Sequence, residues 1–206
     1  MKSEDFYSTI ETTATAEFSD RGSKFIAYSF PVKTVSDFKN ALQSLKKEHP
    51  KASHHCFAYR LGLDGTQFRV SDDGEPSGSA GRPILGQIDS RELTDIAVIV
   101  VRYFGGTLLG VPGLINAYKS ATALVLQVTP VILKSVEVNY KLHFDYTKMN
   151  DVMTIIKRFS CNILSQEMTL FCDLSVGIPK QHLDNCLQQL NHLYGVEVNP
   201  LNTSAG

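Results

Sequence analysis

The sequence predicts an α+β protein of two domains, and three observations carry that expectation. Residues 135–206 read, from their apolar periods, as strand, helix, strand, strand, helix, strand. Residues 1–134 interleave amphipathic helices with short strands and hold the glycine-rich loops. The charge balance changes at the same place: 15 Lys and Arg against 14 Asp and Glu before residue 135, and 5 against 7 from there on. A chain of 206 residues suits one large domain or two small ones, at about 150 residues each as a soft guide. The expected domains are 1–134 and 135–206. No Pro-, Gly- or Ser-rich linker separates them, so the expected junction is short.

In the first domain, Ala14–Phe18 and Lys24–Pro31 read as strands around the turn Ser19-Asp20-Arg21-Gly22. Thr34 and Asp37 have the spacing of a capping box, opening a helix with Val35, Phe38, Leu42 and Leu45 on one side. His54–Leu61 and Thr66–Val70 form an expected hairpin across Leu63-Asp64-Gly65, and residues 79–89 an expected helix. Ile96–Val101 is apolar on both faces, the pattern of a central strand covered on each side. Pro112–Val128 carries a helical stripe of Leu114, Ala117, Ala121, Leu124, Val125 and Val128. The expected order is ββαββαβα.

In the second domain, Val136–Phe144 alternates as a strand, and Thr147 is placed to cap a helix with the stripe Met149, Val152, Met153, Ile156 and Phe159. Cys161–Ser165 and Met168–Val176 read as strands joined by a tight turn. Pro179 suits the first turn of a helix carrying Leu183, Cys186, Leu187, Leu190 and Leu193; Gly195 ends it, and Val196–Val198 closes the domain. The order βαββαβ is the ferredoxin-like arrangement, which says little about function.

Composition narrows the classes. Hydrophobic residues make up 43% and charged residues 20%, an ordinary globular balance that excludes a disordered, collagen-like or coiled-coil chain. The longest apolar run, Ile96 to Val101, falls far short of the roughly 20 residues that span a bilayer. The start, MKSEDFYSTIETT, has no apolar core of a signal peptide. The four cysteines are scattered without a C-x-x-C pair, which reads as reduced thiols in the cytoplasm. A formal net charge of −1 excludes a generally basic nucleic-acid binder and leaves room for a local basic groove.

Three segments hold candidate chemistry. The first is Ser71-Asp72-Asp73-Gly74-Glu75-Pro76-Ser77-Gly78-Ser79-Ala80-Gly81-Arg82-Pro83. A Gly/Ser-rich turn entering a helix exposes backbone N–H groups that suit an anion, and the three carboxylates suit a hard divalent cation. The alternative is a tight, acid-capped turn whose glycines serve only the backbone. The second runs from Arg102 through Tyr103, Phe104, Gly105 and Gly106 to Leu114, leaving the buried strand for the next helix, where open α/β sheets place ligands. After Gly105-x4-Gly110 stand Val111 and Pro112, so the P-loop lysine is missing and a nucleotidase of that class is disfavoured. Tyr103 or Phe104 would stack on a base, or both belong to the core. The third is His54-His55-Cys56, where His54 and Cys56 share a strand face. That gives too few ligands for zinc, and the expectation is a buried Cys with histidines at the mouth of a cleft. Gly78-Ser79-Ala80-Gly81 lacks the spacing of a serine-hydrolase elbow.

These blocks, with Val100-Val101 leading into the second loop, resemble the bacterial YigZ / Impact family, and the similarity runs over nearly the whole chain. The resemblance implies an N-terminal domain of the ribosomal-protein type, with a βαβ unit related to a domain of elongation factor G. It implies a C-terminal domain similar to the last domain of that factor. Eukaryotic relatives act in translational control by competing for the activator of a kinase of an initiation factor, through an extra N-terminal domain that has no expected counterpart here. A translation or RNA theme is what carries over. No enzymatic activity does, and the old label of proline peptidase finds no support in these residues.

The leading expectation is a cytoplasmic, non-enzymatic protein that touches RNA or the ribosome. Arg60, Arg69, Arg82, Arg102 and Lys119 would contact phosphate, Tyr103 would stack, and His54, Asp72, Asp73, Glu75, Ser77, Gly78, Ser79, Gly105 and Gly106 would line the cleft. The rival is a binder or enzyme for a phosphorylated small molecule, with residues 76–81 holding phosphate and Asp72, Asp73 or Glu75 holding magnesium. A third reading is a protein–protein module. No catalytic residue, resident metal or cofactor is expected, no membrane, and no particular protein partner. The leading reading requires both glycine-dense loops on one concavity, with arginines free at its rim.

Overall fold

The computed structural model describes residues 5–63 and 65–201. The expected reading of residues 1–4, and Asp64 of the expected hairpin turn, lie outside them. The chain forms two compact units, one spanning Tyr7–Lys134 and one running on from Ser135 together with Asp5 and Phe6.

The first unit is built on a five-stranded antiparallel sheet. Its strands are β2 (Ala14–Asp20), β3 (Ser23–Pro31), β4 (His54–Leu61), β5 (Gln67–Ser71) and β6 (Ile96–Tyr103), in the order β2-β3-β6-β4-β5. A separate ribbon pairs β1 (Phe6–Ile10) with β7 (Val131–Ser135). Neither was expected: five residues without clear alternation give no strand signal until the distant partner is known. The helices are α1 (Val35–Glu48), α2 (Gly81–Ser90) and α3 (Gly110–Val128). The capping box of α1 forms in both directions, Asp37 N–H donating to Thr34 Oγ1 at 3.1 Å and Thr34 N–H to the Asp37 carboxylate at 2.9 Å.

β6 is central and covered on both faces, as its unbroken apolar run requires. Ile96, Val98 and Val100 meet Phe25, Cys56 and Ala58, with Ile84 and Ile88 of α2 and Ala117, Tyr118 and Ala121 of α3. Ala97, Ile99 and Val101 meet Phe38 and Leu45 of α1. The register sets Phe25, Arg102 and His54 side by side across β3, β6 and β4 at one end of the sheet, on the α2/α3 face.

The second unit has β8 (Glu137–Asp145), α4 (Met149–Arg158), β9 (Asn162–Met168), β10 (Phe171–Pro179), α5 (Leu183–Asn191) and β11 (Val196–Pro200). The antiparallel sheet has the order β11-β8-β10-β9. Leu142, Phe144, Leu174 and Val176 of the sheet pack on Val152, Ile156, Cys186 and Leu190 of the two helices. Asp145, not Thr147, caps the turn before α4, accepting from Thr147 N–H at 2.9 Å. A single 3-10 turn, Lys180–His182, stands between Pro179 and α5. The turn between β9 and β10 lies at Thr169 and Leu170, later than expected, because Gln166 and Glu167 stay in the ladder opposite Leu174 and Asp173. An exposed edge strand accepts these polar residues without cost to a core.

Candidate functional site

The two glycine-rich loops converge on one pocket of about 440 Å³ in the first unit. His54 comes from the start of β4, Glu75 and Pro76 from the first loop, Arg102 from the end of β6, and Phe104 and Leu108 from the second loop. The concavity required of the two loops is therefore present. The arginine required at its rim is placed differently.

Arg102 forms the floor. Its Nη1 donates to Glu75 Oε1 at 2.6 Å, and both side chains are buried. The guanidinium carbon stands 5.5 Å from the Phe25 ring centre and 5.7 Å from that of Phe104. Tyr118 OH donates to the same Glu75 oxygen at 2.7 Å, and Cys56 Sγ lies 3.2 Å from Tyr118 OH. Burial pushes the Cys56 thiol well above its usual range, and burial with the nearby Cys56 and Glu75 pushes the Tyr118 phenol up. Both stay protonated, so Cys56 is no thiolate nucleophile. Arg102 Nε is buried and has no hydrogen-bond partner among the described residues. Expected to grip phosphate, Arg102 instead neutralises a buried carboxylate.

His54 lies at the side. Its Nδ1 stands 2.8 Å from the Asp73 carbonyl, which can only accept, so Nδ1 carries the proton. Its Nε2 stands 3.9 Å from Glu75 Oε1. His55 points to the other face and is buried, not at the mouth; loss of hydration holds its pKa below the usual histidine value.

The three carboxylates of the first loop part company. Asp72 accepts N–H bonds from Gly78 at 2.8 Å, Ala80 at 3.0 Å and Gly81 at 2.8 Å. Burial works to raise its pKa, but these three bonds and Arg82 outweigh burial and hold the carboxyl below its usual range. The N-terminus of α2, expected to receive a phosphate, is thus filled by the chain's own anion. Asp73 accepts from His55 N–H at 2.6 Å, and Glu75 faces Arg102. Among the described residues no group of three or more His, Cys, Asp or Glu is arranged to hold a metal ion. Ser79 is buried and donates its hydroxyl to the Pro76 carbonyl, and Gly78 adopts φ +76. These two build the turn and offer nothing to a ligand, while Ser77 is exposed.

Other expected contacts lie elsewhere. Arg60 is six residues along β4 from His54, roughly 20 Å at strand rise, and is bound to Asp89 at 2.6 Å and to the Gly65 carbonyl. Tyr103 follows Arg102 on the strand and therefore faces α1, where its hydroxyl stands 2.9 Å from His49 Nδ1. Phe104 takes the place expected for Tyr103. Arg69, Arg82 and Lys119 are exposed on β5, α2 and α3 and are not part of the pocket wall. Gly105 serves the backbone: a Cβ there would lie 1.9 Å from the Gly22 carbonyl carbon. Gly106, at φ +86, has open space beside it.

Arg21 escaped sequence reasoning. Its Nη2 donates to the Leu109 carbonyl at 3.3 Å, and a Cβ on Gly113 would lie 2.7 Å from the same nitrogen. A surface turn read from sequence gives no sign that it reaches a loop 88 residues away.

The whole pocket, and Arg21 beside it, lie within residues 21–126, the stretch matched by the family model described as the Impact N-terminal domain. The chain belongs to the Impact family. An IMPACT family member of Haemophilus influenzae is 35% identical over 164 residues, covering 79% of this chain and 80% of that one. The IMPACT family member YigZ of Escherichia coli is 33% identical over 159 residues, covering 76% and 78%. Protein IMPACT of Rattus norvegicus is 33% identical over 100 residues, covering 46% of this chain and 31% of the rat protein. Among solved structures, a crystal structure of a hypothetical protein has a TM-score of 0.76 at 27% identity, covering 97% of this chain and 98% of that one. No helix among the described residues is long and apolar enough to cross a membrane.

Proposed function

We propose that this Impact-family chain is a non-enzymatic, translation-linked binding protein of the cytoplasm that holds single-stranded RNA by seating one unstacked base in the pocket between its glycine-rich loops. The observation that carries the reading is the pocket's own chemistry: Phe104 and Leu108 are 50% and 83% exposed beside a floor whose two charges cancel. An exposed ring and an apolar neighbour offer a stacking face to any base, and a neutral floor does not repel an uncharged one. His54, on the pocket wall, offers a ring nitrogen to a base edge. Arg21, with the exposed Arg82 and Lys119, supplies what phosphate contact there is.

The Impact relatives support the translation theme. The sheet order β11-β8-β10-β9 supports the reading of 135–206 as a ferredoxin-like domain. The family match over residues 21–126 supports 1–134 as the Impact-type domain, and the family resemblance carries the ribosomal-protein character and the likeness of 135–206 to the last domain of elongation factor G. The phosphate-and-magnesium alternative loses its support, since Asp72 occupies the helix N-terminus that phosphate would need.

Few phosphate contacts mean shallow salt dependence. With one to three contacts, the affinity for a single strand should fall with a log–log slope of about −1 to −2. The test is fluorescence anisotropy with a labelled single-stranded RNA at about 50 and about 200 mM salt. Binding with that shallow slope supports the reading. Absence of binding at the lower salt, or a steep slope that Phe104→Ala leaves unchanged, overturns it.

A further inference from the structure

Two thiols in the second unit stand in contact. Cys161 Sγ and Cys186 Sγ are 3.7 Å apart, the one sulfur–sulfur contact found among the described residues. Cys161 follows α4 in a fixed turn: its N–H donates to the Ile156 carbonyl at 2.9 Å, and Ser160 before it takes φ +53. Cys186 sits on the fully buried side of α5. Cys161 is partly exposed, whereas Cys186 is buried behind it.

We propose that Cys161 and Cys186 are a reversible oxidation site that closes an intramolecular disulfide when the protein meets a small-molecule disulfide such as oxidised glutathione. The sulfurs have to close by about 1.7 Å to reach bonding distance, a shift within reach of side-chain rotation in two residues already touching. Contact with Cys186 holds the Cys161 thiol below its usual range, while the same contact and burial push the Cys186 thiol up.

The exchange balances in two steps. The Cys161 thiolate attacks one sulfur of the small disulfide; the new bond joins Cys161 to one glutathione, and the other leaves as thiolate and takes a proton. Cys186 then loses its proton to water and attacks Cys161 Sγ, breaking the mixed bond; the second glutathione leaves as thiolate and takes up a proton from water in turn. The two protein thiols are oxidised and one glutathione disulfide is reduced to two thiols. The product ties the end of α4 to α5, the two helices that cover one side of the same sheet.

The test uses the full chain, with its four cysteines, in the folded state. After incubation with oxidised glutathione and acid quench, the expected product is lighter by two hydrogens and keeps two thiols open to alkylation after unfolding. Proteolysis should yield one linked pair of peptides, carrying Cys161 and Cys186, which a reductant separates. Cys172→Ser should give the same product. Cys186→Ala should stop the reaction at a glutathione adduct on Cys161, and Cys161→Ser should abolish both products. Four thiols remaining in the folded protein, a lasting adduct on Cys161 in the unaltered chain, or a link through Cys172 or Cys56 would each overturn the proposal.

Discussion

Arg102 Nη1 and Glu75 Oε1 meet at 2.6 Å on the floor of the pocket, where the sheet end and the first glycine-rich loop join. The pair links two segments 27 residues apart, and Tyr118 of α3 binds the same oxygen. A buried pair is costly to break from one side, because the surviving charge stays in the interior without its partner. Arg102→Met should therefore destabilise the protein by about 3–5 kcal/mol. Replacing both residues, with Glu75→Leu added, should recover much of that loss. Denaturant midpoints at a constant slope measure both. A single Arg102→Met with unchanged stability would show that the pair is not closed in solution.

Asp72 makes the stability of the first loop depend on pH. Its folded pKa lies below the unfolded value, so its contribution is fully present above the unfolded value of about 4 and fades as pH falls through the lower folded value. Asp72→Ala removes the acceptor for three N–H groups at the entry to α2 and should cost about 1–2 kcal/mol at neutral pH, the scale of a lost helix cap. The difference between the variant and the unaltered chain should shrink in acid. Urea titrations across that range check it; a constant difference at all pH values would refute it.

Two neighbouring glycines should respond differently. A Cβ on Gly105 would fall 1.9 Å from the backbone of Gly22, and neither strand end can retreat without breaking the β3–β6 ladder. Gly106 has only its left-handed φ to defend, with nothing within 4 Å of an added carbon. Gly106→Ala should cost about 1–2 kcal/mol and still fold. Gly105→Ala should lose considerably more, seen as a larger drop in melting temperature or failure to accumulate as folded protein. Equal losses in the two variants would contradict the close approach of the two turns.

How much of this was legible depends on the range of the interaction. The capping box of α1, the doubly covered β6 and the alternating faces of β4 are written within a few residues of themselves, and their periods are plain in the sequence. β1 and β7 stabilise each other across most of the first unit, so neither five-residue segment announces itself alone. In the site, both loops and His54 were readable, because Gly, Asp and His cluster there. The fate of the arginines was not. Arg60, Arg82 and Arg102 look alike in a sequence, and only the partners brought in by the fold, Asp89 for one and Glu75 for another, decide which guanidinium is spent internally. Arg21 reached the second loop's edge by a hairpin turn that carries no such sign.

The alternation along β6 also separates Tyr103, the residue expected to stack, from its neighbour Phe104. Tyr103 faces α1 and holds His49, whereas Phe104 lies on the pocket wall with half of its surface open. If RNA is held by a base against that wall, Phe104→Ala should weaken binding by about 1–3 kcal/mol, close to 5- to 150-fold. Leu108→Ala should weaken it less, since an aliphatic side chain offers contact without a ring face. Tyr103→Phe removes only a hydroxyl committed to His49 on the far side of the sheet and should leave RNA affinity where it was. Anisotropy titrations of the three variants against one single-stranded RNA, beside melting temperatures to confirm folding, separate the faces. Loss of affinity in Tyr103→Phe with none in Phe104→Ala would move the RNA surface to the α1 side and remove the pocket from the account.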